Sequence, residues 1–143
     1  MIPAAGSELL HASAVALDGR GLLILGPSGS GKSGLALQLM ALGARLVSDD
    51  QTEVVVQDGA LIARAPAAIS GLIEARGVGI LRADPLPQAA IVLVVDLGQQ
   101  EVQRLPRRRV ISVLGVTIDL VLASQSAHFE AALCCYLRGQ RFE

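Results

Sequence analysis

The residues Gly26-Pro27-Ser28-Gly29-Ser30-Gly31-Lys32-Ser33 match the G-x-x-x-x-G-K-[ST] phosphate loop at every specified position. An apolar run at residues 22–25 precedes them, and Leu35, Ala36, Leu37, Leu39 and Met40 follow, so the motif lies where a buried strand turns into a helix. That setting restricts the chain to α/β architectures. Glycine is needed here because the backbone must wrap an anion with its N–H groups facing inward, and side chains would block the approach. Lys32 is placed to reach the outer phosphates and Ser33 to ligate Mg²⁺, while the helix start turns its positive end toward the ligand. All eight residues from Gly26 to Ser33 are therefore the candidate nucleotide-binding set.

A length of 143 residues fits one domain. The net charge of −1 gives no electrostatic case for nucleic acid or an anionic membrane. With no Trp, one Tyr and two Phe, the chain lacks the aromatic platforms on which bases stack. No apolar run is long enough to span a bilayer, and the N-terminus lacks the basic-then-apolar order of a leader, which makes the cytoplasm the expected compartment. Cys134 and Cys135 are adjacent in a helical stretch and have no metal-ligand spacing, so they read as a buried thiol pair in a reducing environment.

Residues 9–17 alternate apolar with small or polar residues, and Asp18-Gly19 predicts a tight turn into residues 22–25. Such an antiparallel pair would bring His11 to the same end of the sheet as the phosphate loop. A helix is predicted from Lys32 to Leu42 with Gly43 as its stop, then a short strand at residues 45–48 ending in the acids Asp49 and Asp50. Asp58-Gly59 predicts a hairpin between residues 53–57 and 60–64. Residues 67–75 read as a short helix or a loop. Residues 89–95 read as a buried central strand ending at Asp96, followed by an exposed polar stretch at 98–103. Arg104, Arg107, Arg108 and Arg109 form a basic cluster that suits either a solvated face or an anion clamp. One or two strands are predicted over residues 110–123 with a break at Gly115, then a helix over 125–138 in which His128 is an ordinary member.

A nucleotide site needs a carboxylate at a strand end, and phosphoryl transfer to a hydroxyl needs a base. By pattern alone Asp96, after the most apolar strand, is the better candidate, with Asp49 and Asp50 following a weaker run.

His11, the loop from Gly26 to Ser33, the run Leu46-Val47-Ser48-Asp49-Asp50 and the segment Ile73-Glu74-Ala75-Arg76-Gly77-Val78-Gly79-Ile80 together resemble, in order and spacing, the catalytic domain of the bacterial HPr kinase/phosphorylase family. The resemblance runs from about His11 to Leu105 with gaps. It implies an α/β, P-loop nucleotide-binding domain of the HPr kinase/PEP carboxykinase-like type, with a mixed sheet and few helices, here a single catalytic domain over residues 1–143 without the N-terminal domain of longer members. The implied activity is transfer of phosphate from ATP to a serine of the phosphocarrier HPr, reversed in many members by phosphorolysis. Carried over residue by residue, the resemblance makes Lys32 a ligand of the β- and γ-phosphates, Ser33 and Glu74 the Mg²⁺ ligands and Asp50 the proton acceptor. It makes His11 an active-site histidine beside the phosphates, and Arg104, in Arg104-Leu105, an active-site arginine. It thus reverses the pattern-based preference for Asp96. It also implies a homo-oligomer, often a hexamer.

Two departures stand out: Gly34 occupies a position where many relatives carry Glu, and the Pro/Gly/Arg-containing motif linked to dephosphorylation has no counterpart in residues 122–129. A small-molecule kinase or plain NTPase, and a non-catalytic nucleotide-binding regulatory module, are the alternative readings.

Overall fold

A computed structural model describes residues 6–143, so the leader reading falls partly outside the described residues. The elements run β1 (Ser7–Leu10), β2 (Ala12–Leu17), β3 (Arg20–Leu25), α1 (Lys32–Ala41), β4 (Arg45–Ser48), β5 (Thr52–Gln57), β6 (Ala60–Arg64), a 3₁₀ turn (Ala67–Ile69), β7 (Leu72–Ala75), β8 (Gly79–Arg82), β9 (Gln88–Gln100), β10 (Arg109–Val113), β11 (Val116–Ala123) and α2 (Phe129–Gly139). A nine-stranded mixed sheet has the order β1-β5-β6-β9-β3-β2-β4, with the β10–β11 hairpin joined through β11 to β9; β7 and β8 form a separate ribbon. No helix among the described residues is long and apolar enough to cross a membrane.

β9 is the strand on which the sheet turns. One edge pairs in parallel with β3, from Arg20↔Ala90 to Leu25↔Asp96. The other edge pairs first with β6 antiparallel and then with β11 in parallel. Between Gly21↔Ile91 and Leu22↔Leu93 the register takes up an extra residue, Val92, which is 38% exposed. The bulge lets Leu93 and Val95 pack with Leu22, Ile24, Leu35, Leu39 and Leu137, while Ile91 and Val94 join the opposite cluster of Ala12, Ala14, Leu23, Val54 and Leu61. β2 and β3 contribute to both clusters, which is why their sequence is apolar or small at nearly every position. α1 ends as predicted: Gly43 has φ 108°, its N–H donates to Met40 O at 3.1 Å, and Ala44 N–H donates to Leu39 O at 3.0 Å.

Several sequence expectations are corrected. The strand expected over residues 9–17 is broken at His11, because β1 pairs with β5 and β2 with β3 and β4. Residues 67–75 divide into the 3₁₀ turn and β7. Asp96 does not end its strand; β9 continues to Gln100, and Asp96 accepts hydrogen bonds from Gly98 N–H and Gln99 Nε2 at 2.8 and 3.0 Å. α2 starts at Phe129, because the hydroxyls of Ser124 and Ser126 take the N–H groups of Ser126 and His128 and hold a turn there. His128 therefore stands just before the helix. Cys134 is buried and Cys135 exposed, as neighbours on a helix face different ways. Burial pushes the Cys134 thiol up from its ordinary pKa.

The β10–β11 hairpin is held by ion pairs from Arg108 and Arg109, two of the four arginines of the cluster. Arg109 donates to Glu101 from Nε and Nη2, both at 3.2 Å, and Arg108 Nη1 donates to Asp119 at 3.3 Å. Tyr136 Oη of α2 donates to the same Asp119 at 2.5 Å. Burial, reinforced by the Asp119 carboxylate, pushes the Tyr136 phenol up to about 12. With the folded pKa raised from 10.0, this group's contribution to stability is fully present below pH 10 and is lost as pH rises through about 12.

Two outcomes are expected. Gly21→Ala would set a Cβ 2.7 Å from Ala90 O, wedging β3 from β9, and should cost about 1–3 kcal/mol in urea unfolding. Absorbance titration of the single tyrosine should give a folded midpoint near 12, and Asp119→Asn should bring it back toward 10. An unmoved midpoint in that variant would leave burial as the sole cause.

Candidate active site

The phosphate loop joins β3 to α1 at one end of the sheet, and the pairing of Ala12 with Leu25 brings His11 to that same end, as expected from the antiparallel reading. Gly26, Gly29 and Gly31 have φ of 150°, 82° and 99°, values that side-chain-bearing residues rarely adopt. Lys32 is buried, and its Nζ donates to Gly26 O and Pro27 O at 3.0 and 3.2 Å, so the ammonium is held over the loop by its own backbone.

Asp49 and Asp50 follow β4 and have opposite environments. Asp49 is buried. Its Oδ1 accepts from Ser13 Oγ of β2 at 2.9 Å and from Ser33 Oγ of α1 at 2.6 Å, while its Oδ2 accepts from the Glu74 N–H of β7 at 3.1 Å. Ser13 Oγ in turn accepts from the Asp50 N–H at 3.0 Å. Asp50 has φ 67°, a left-handed conformation that Asp tolerates better than most residues, and this turns its side chain away from the buried partner's surroundings. Asp50 Oδ1 lies 2.7 Å from His11 Nε2, in a pair whose side chains are 62% and 48% exposed. A proton on Nε2 would make His11 the donor and leave the second carboxylate oxygen of Asp50 open to a substrate.

These groups meet in a cleft of about 560 Å³ lined by His11, Gly29, Lys32, Ser33, Asp50, Glu74 and Arg76 among others. The structure thus gathers His11, the loop, Lys32, Ser33, Asp50 and Glu74 in one place. Arg104 does not line this cleft. It is exposed in the segment between β9 and β10, near Arg108 and Arg109, which are tied to Asp119 and Glu101. Sequence reasoning missed Ser13. The signal was a hydroxyl two residues after His11 in an otherwise apolar strand, but nothing in one sequence says what it bonds.

No group of three or more His, Cys, Asp or Glu side chains that could hold a metal ion occurs among the described residues. The donor set is instead of the kind Mg²⁺ uses with phosphates, with one or two protein oxygens and the rest from ligand and water. Ser33 fits it, because its proton goes to Asp49 and its lone pairs remain free. Glu74 fits it as an exposed carboxylate lining the same cleft.

Asp49→Ala would leave the Ser13 and Ser33 hydroxyls and the Glu74 N–H without their shared acceptor. The expected cost is about 1–3 kcal/mol in urea unfolding, with faster hydrogen exchange in β7.

The solved structure of the Hpr(Ser) kinase/phosphatase from Coxiella burnetii superposes with a TM-score of 0.78 over 94% of this chain and 96% of that chain, at 24% identity, which is a likeness of fold. The HPr kinase/phosphorylase of Clostridium beijerinckii is 47% identical over 72 residues, and that of Levilactobacillus brevis 45% over 75 residues. These matches cover 50% and 52% of this chain and 24% of each relative, so the matched segment is about a quarter of those proteins. The model of the HPr serine kinase C-terminal domain matches residues 4–121, and by that extent of match the chain belongs to this family.

Proposed function

We propose that the chain carries the catalytic site of an ATP- and Mg²⁺-dependent protein-serine kinase whose acceptor is an HPr-like phosphocarrier. The relatives' names support the reaction class, and one geometric observation carries the reading. His11 and Asp50 form a close, half-exposed pair in the same cleft as the phosphate loop, open to a hydroxyl presented on the surface of another protein.

In this reading the γ-phosphate lies against Gly29, Gly31 and Lys32, with Lys32 exchanging its two loop carbonyls for phosphate oxygens. Ser33 and Glu74 would hold Mg²⁺, which when bound neutralises charge on the β- and γ-phosphates. Asp50 accepts the proton of the attacking serine as its oxygen bonds to phosphorus and ADP leaves. His11 positions that carboxylate. Were phosphorolysis retained without the Pro/Gly/Arg-containing motif that residues 122–129 lack, inorganic phosphate would take the phosphoryl group to form pyrophosphate and protonated Asp50 would return its proton to the serine oxygen. Asp49 keeps Ser33 and the Glu74 strand in register. Arg104 is given no role at the phosphates. Assembly as a homo-oligomer belongs to the same reading.

With γ-labelled ATP, Mg²⁺ and an HPr-type carrier, label should reach the carrier but not a form whose acceptor serine is alanine. Asp50→Asn should keep ATP binding within about twofold and lose about 10²–10⁴-fold in transfer. Full transfer in that variant would remove Asp50 from the mechanism. ATP turnover that is indifferent to the carrier would favour the small-molecule kinase or NTPase reading.

A further inference from the structure

Two of the side chains that line the cleft carry a fixed positive charge, Lys32 and Arg76, and the Asp50 and Glu74 carboxylates line it with them. The Lys32 ammonium is held by the Gly26 and Pro27 carbonyls, whereas Arg76 is exposed and makes no hydrogen bond or ion pair among the described residues. We propose that Arg76 is a catalytic residue of the transfer, its guanidinium closing on the phosphoryl group as that group passes from ATP to the acceptor serine. The inference rests on the kinase reading above and adds a residue which that reading leaves without a role.

The backbone fixes where this side chain starts. Ile73 and Ala75 are buried, and the Glu74 N–H between them is bonded to Asp49 Oδ2, so β7 is anchored up to the residue before Arg76. The chain then reverses. The Val78 N–H donates to Ala75 O at 3.0 Å and Gly77 has φ 82°, the positive value that a type II turn requires at its third residue. Arg76 is the second residue of that turn. Its Cα is therefore held on the cleft wall two residues from Glu74, while its side chain, with no partner to give up, is free to swing onto a ligand.

The chemistry asks for a cation in addition to Lys32. A triphosphate adds negative charge to a cleft that already holds two carboxylates, and Lys32 is engaged with the β- and γ-phosphates before transfer. In the transfer itself the bond from serine oxygen to phosphorus forms, the bond from phosphorus to ADP breaks with its electron pair on ADP, and Asp50 takes the serine proton. Charge meanwhile spreads over the three equatorial oxygens of the moving group. A guanidinium presents a planar fork of N–H donors that matches two of those oxygens and exchanges no proton. Neither Arg104 nor Arg82, which lies on β8 opposite Leu72, lines the cleft.

The test is steady-state transfer of label from γ-labelled ATP to the carrier by the full chain with Mg²⁺, beside calorimetric titration of ATP. Arg76→Ala should lower kcat about 10²–10³-fold, the loss typical of one donor aimed at transition-state charge, with the Kd of ATP and the KM of the carrier within about threefold of wild type. Arg76→Lys keeps the charge but not the fork and should recover at most about a tenth of the wild-type kcat. Free guanidinium ion at sub-denaturing concentration should restore part of the Arg76→Ala rate and none of the Asp50→Asn rate, a rescue that a merely structural arginine would not show. Arg82→Ala should stay within about twofold of wild type in every constant. An Arg76→Ala kcat within about threefold of wild type would overturn the proposal. So would a loss confined to ATP affinity or carrier KM, or a loss that guanidinium does not rescue and that comes with a lowered unfolding midpoint. A wild-type chain that moves no label would overturn the kinase reading itself, and the role of Arg76 with it.

Discussion

The Asp49 carboxylate is the interaction on which the site depends. It is buried and accepts from β2, α1 and β7 through Ser13, Ser33 and the Glu74 N–H. A buried carboxylate is costly unless donors surround it, and three donors from three elements meet that need while fixing those elements relative to one another. The β7–β8 ribbon is outside the main sheet, so this hydrogen bond and the packing of Ile73 and Ala75 against the interior are what bring Glu74 to the phosphate loop. The neighbouring acid has the opposite assignment. A left-handed turn at Asp50 sends one carboxylate inward to hold the structure and the next outward toward His11 and solvent.

This division follows from the sheet. β2 and β3 are covered on both faces, so chemistry-bearing side chains can appear only at their ends. His11 stands at the break where the chain passes from β1 to β2, Asp50 at the turn leaving β4, and the phosphate loop at the exit of β3. Pairing of β2 with both β3 and β4 gathers the three ends. The far side of β9 supports a different structure. There Glu101, Arg108, Arg109, Asp119 and Tyr136 tie the β10–β11 hairpin and α2 together. Two of the four arginines of the basic cluster, Arg108 and Arg109, are thereby committed to the hairpin and away from the cleft.

Local signals carried much of the fold. The phosphate loop with its flanks, the Gly43 stop, the Asp58-Gly59 turn and the break at Gly115 were legible because each is decided within a few residues, by backbone conformations that only certain residue types readily adopt. What failed was decided at longer range. The run at residues 89–95 could not disclose the bulge at Val92 or the continuation of β9 through Asp96, since both are set by pairing with β3 and β11. The start of α2 moved because serine hydroxyls competed for backbone N–H groups, a choice between two local structures that periodicity does not register.

Sequence by itself determined that a strand, an anion-binding loop and a helix follow one another, because phosphate binding by backbone N–H groups needs glycine at fixed spacing and leaves a visible pattern. The resemblance to a known family, and not pattern alone, supplied His11, Asp50 and Glu74 as candidates, since pattern alone preferred Asp96. Only the tertiary structure decided which acid is buried and which is presented, that Ser13 links them, and that Arg104 stands outside the cleft while Arg76 lines it. The physical reason is that burial, hydrogen-bond partners and cavities belong to pairs of segments far apart in the chain. Ser13 and Asp49 are 36 residues apart in sequence and 2.9 Å apart in the fold.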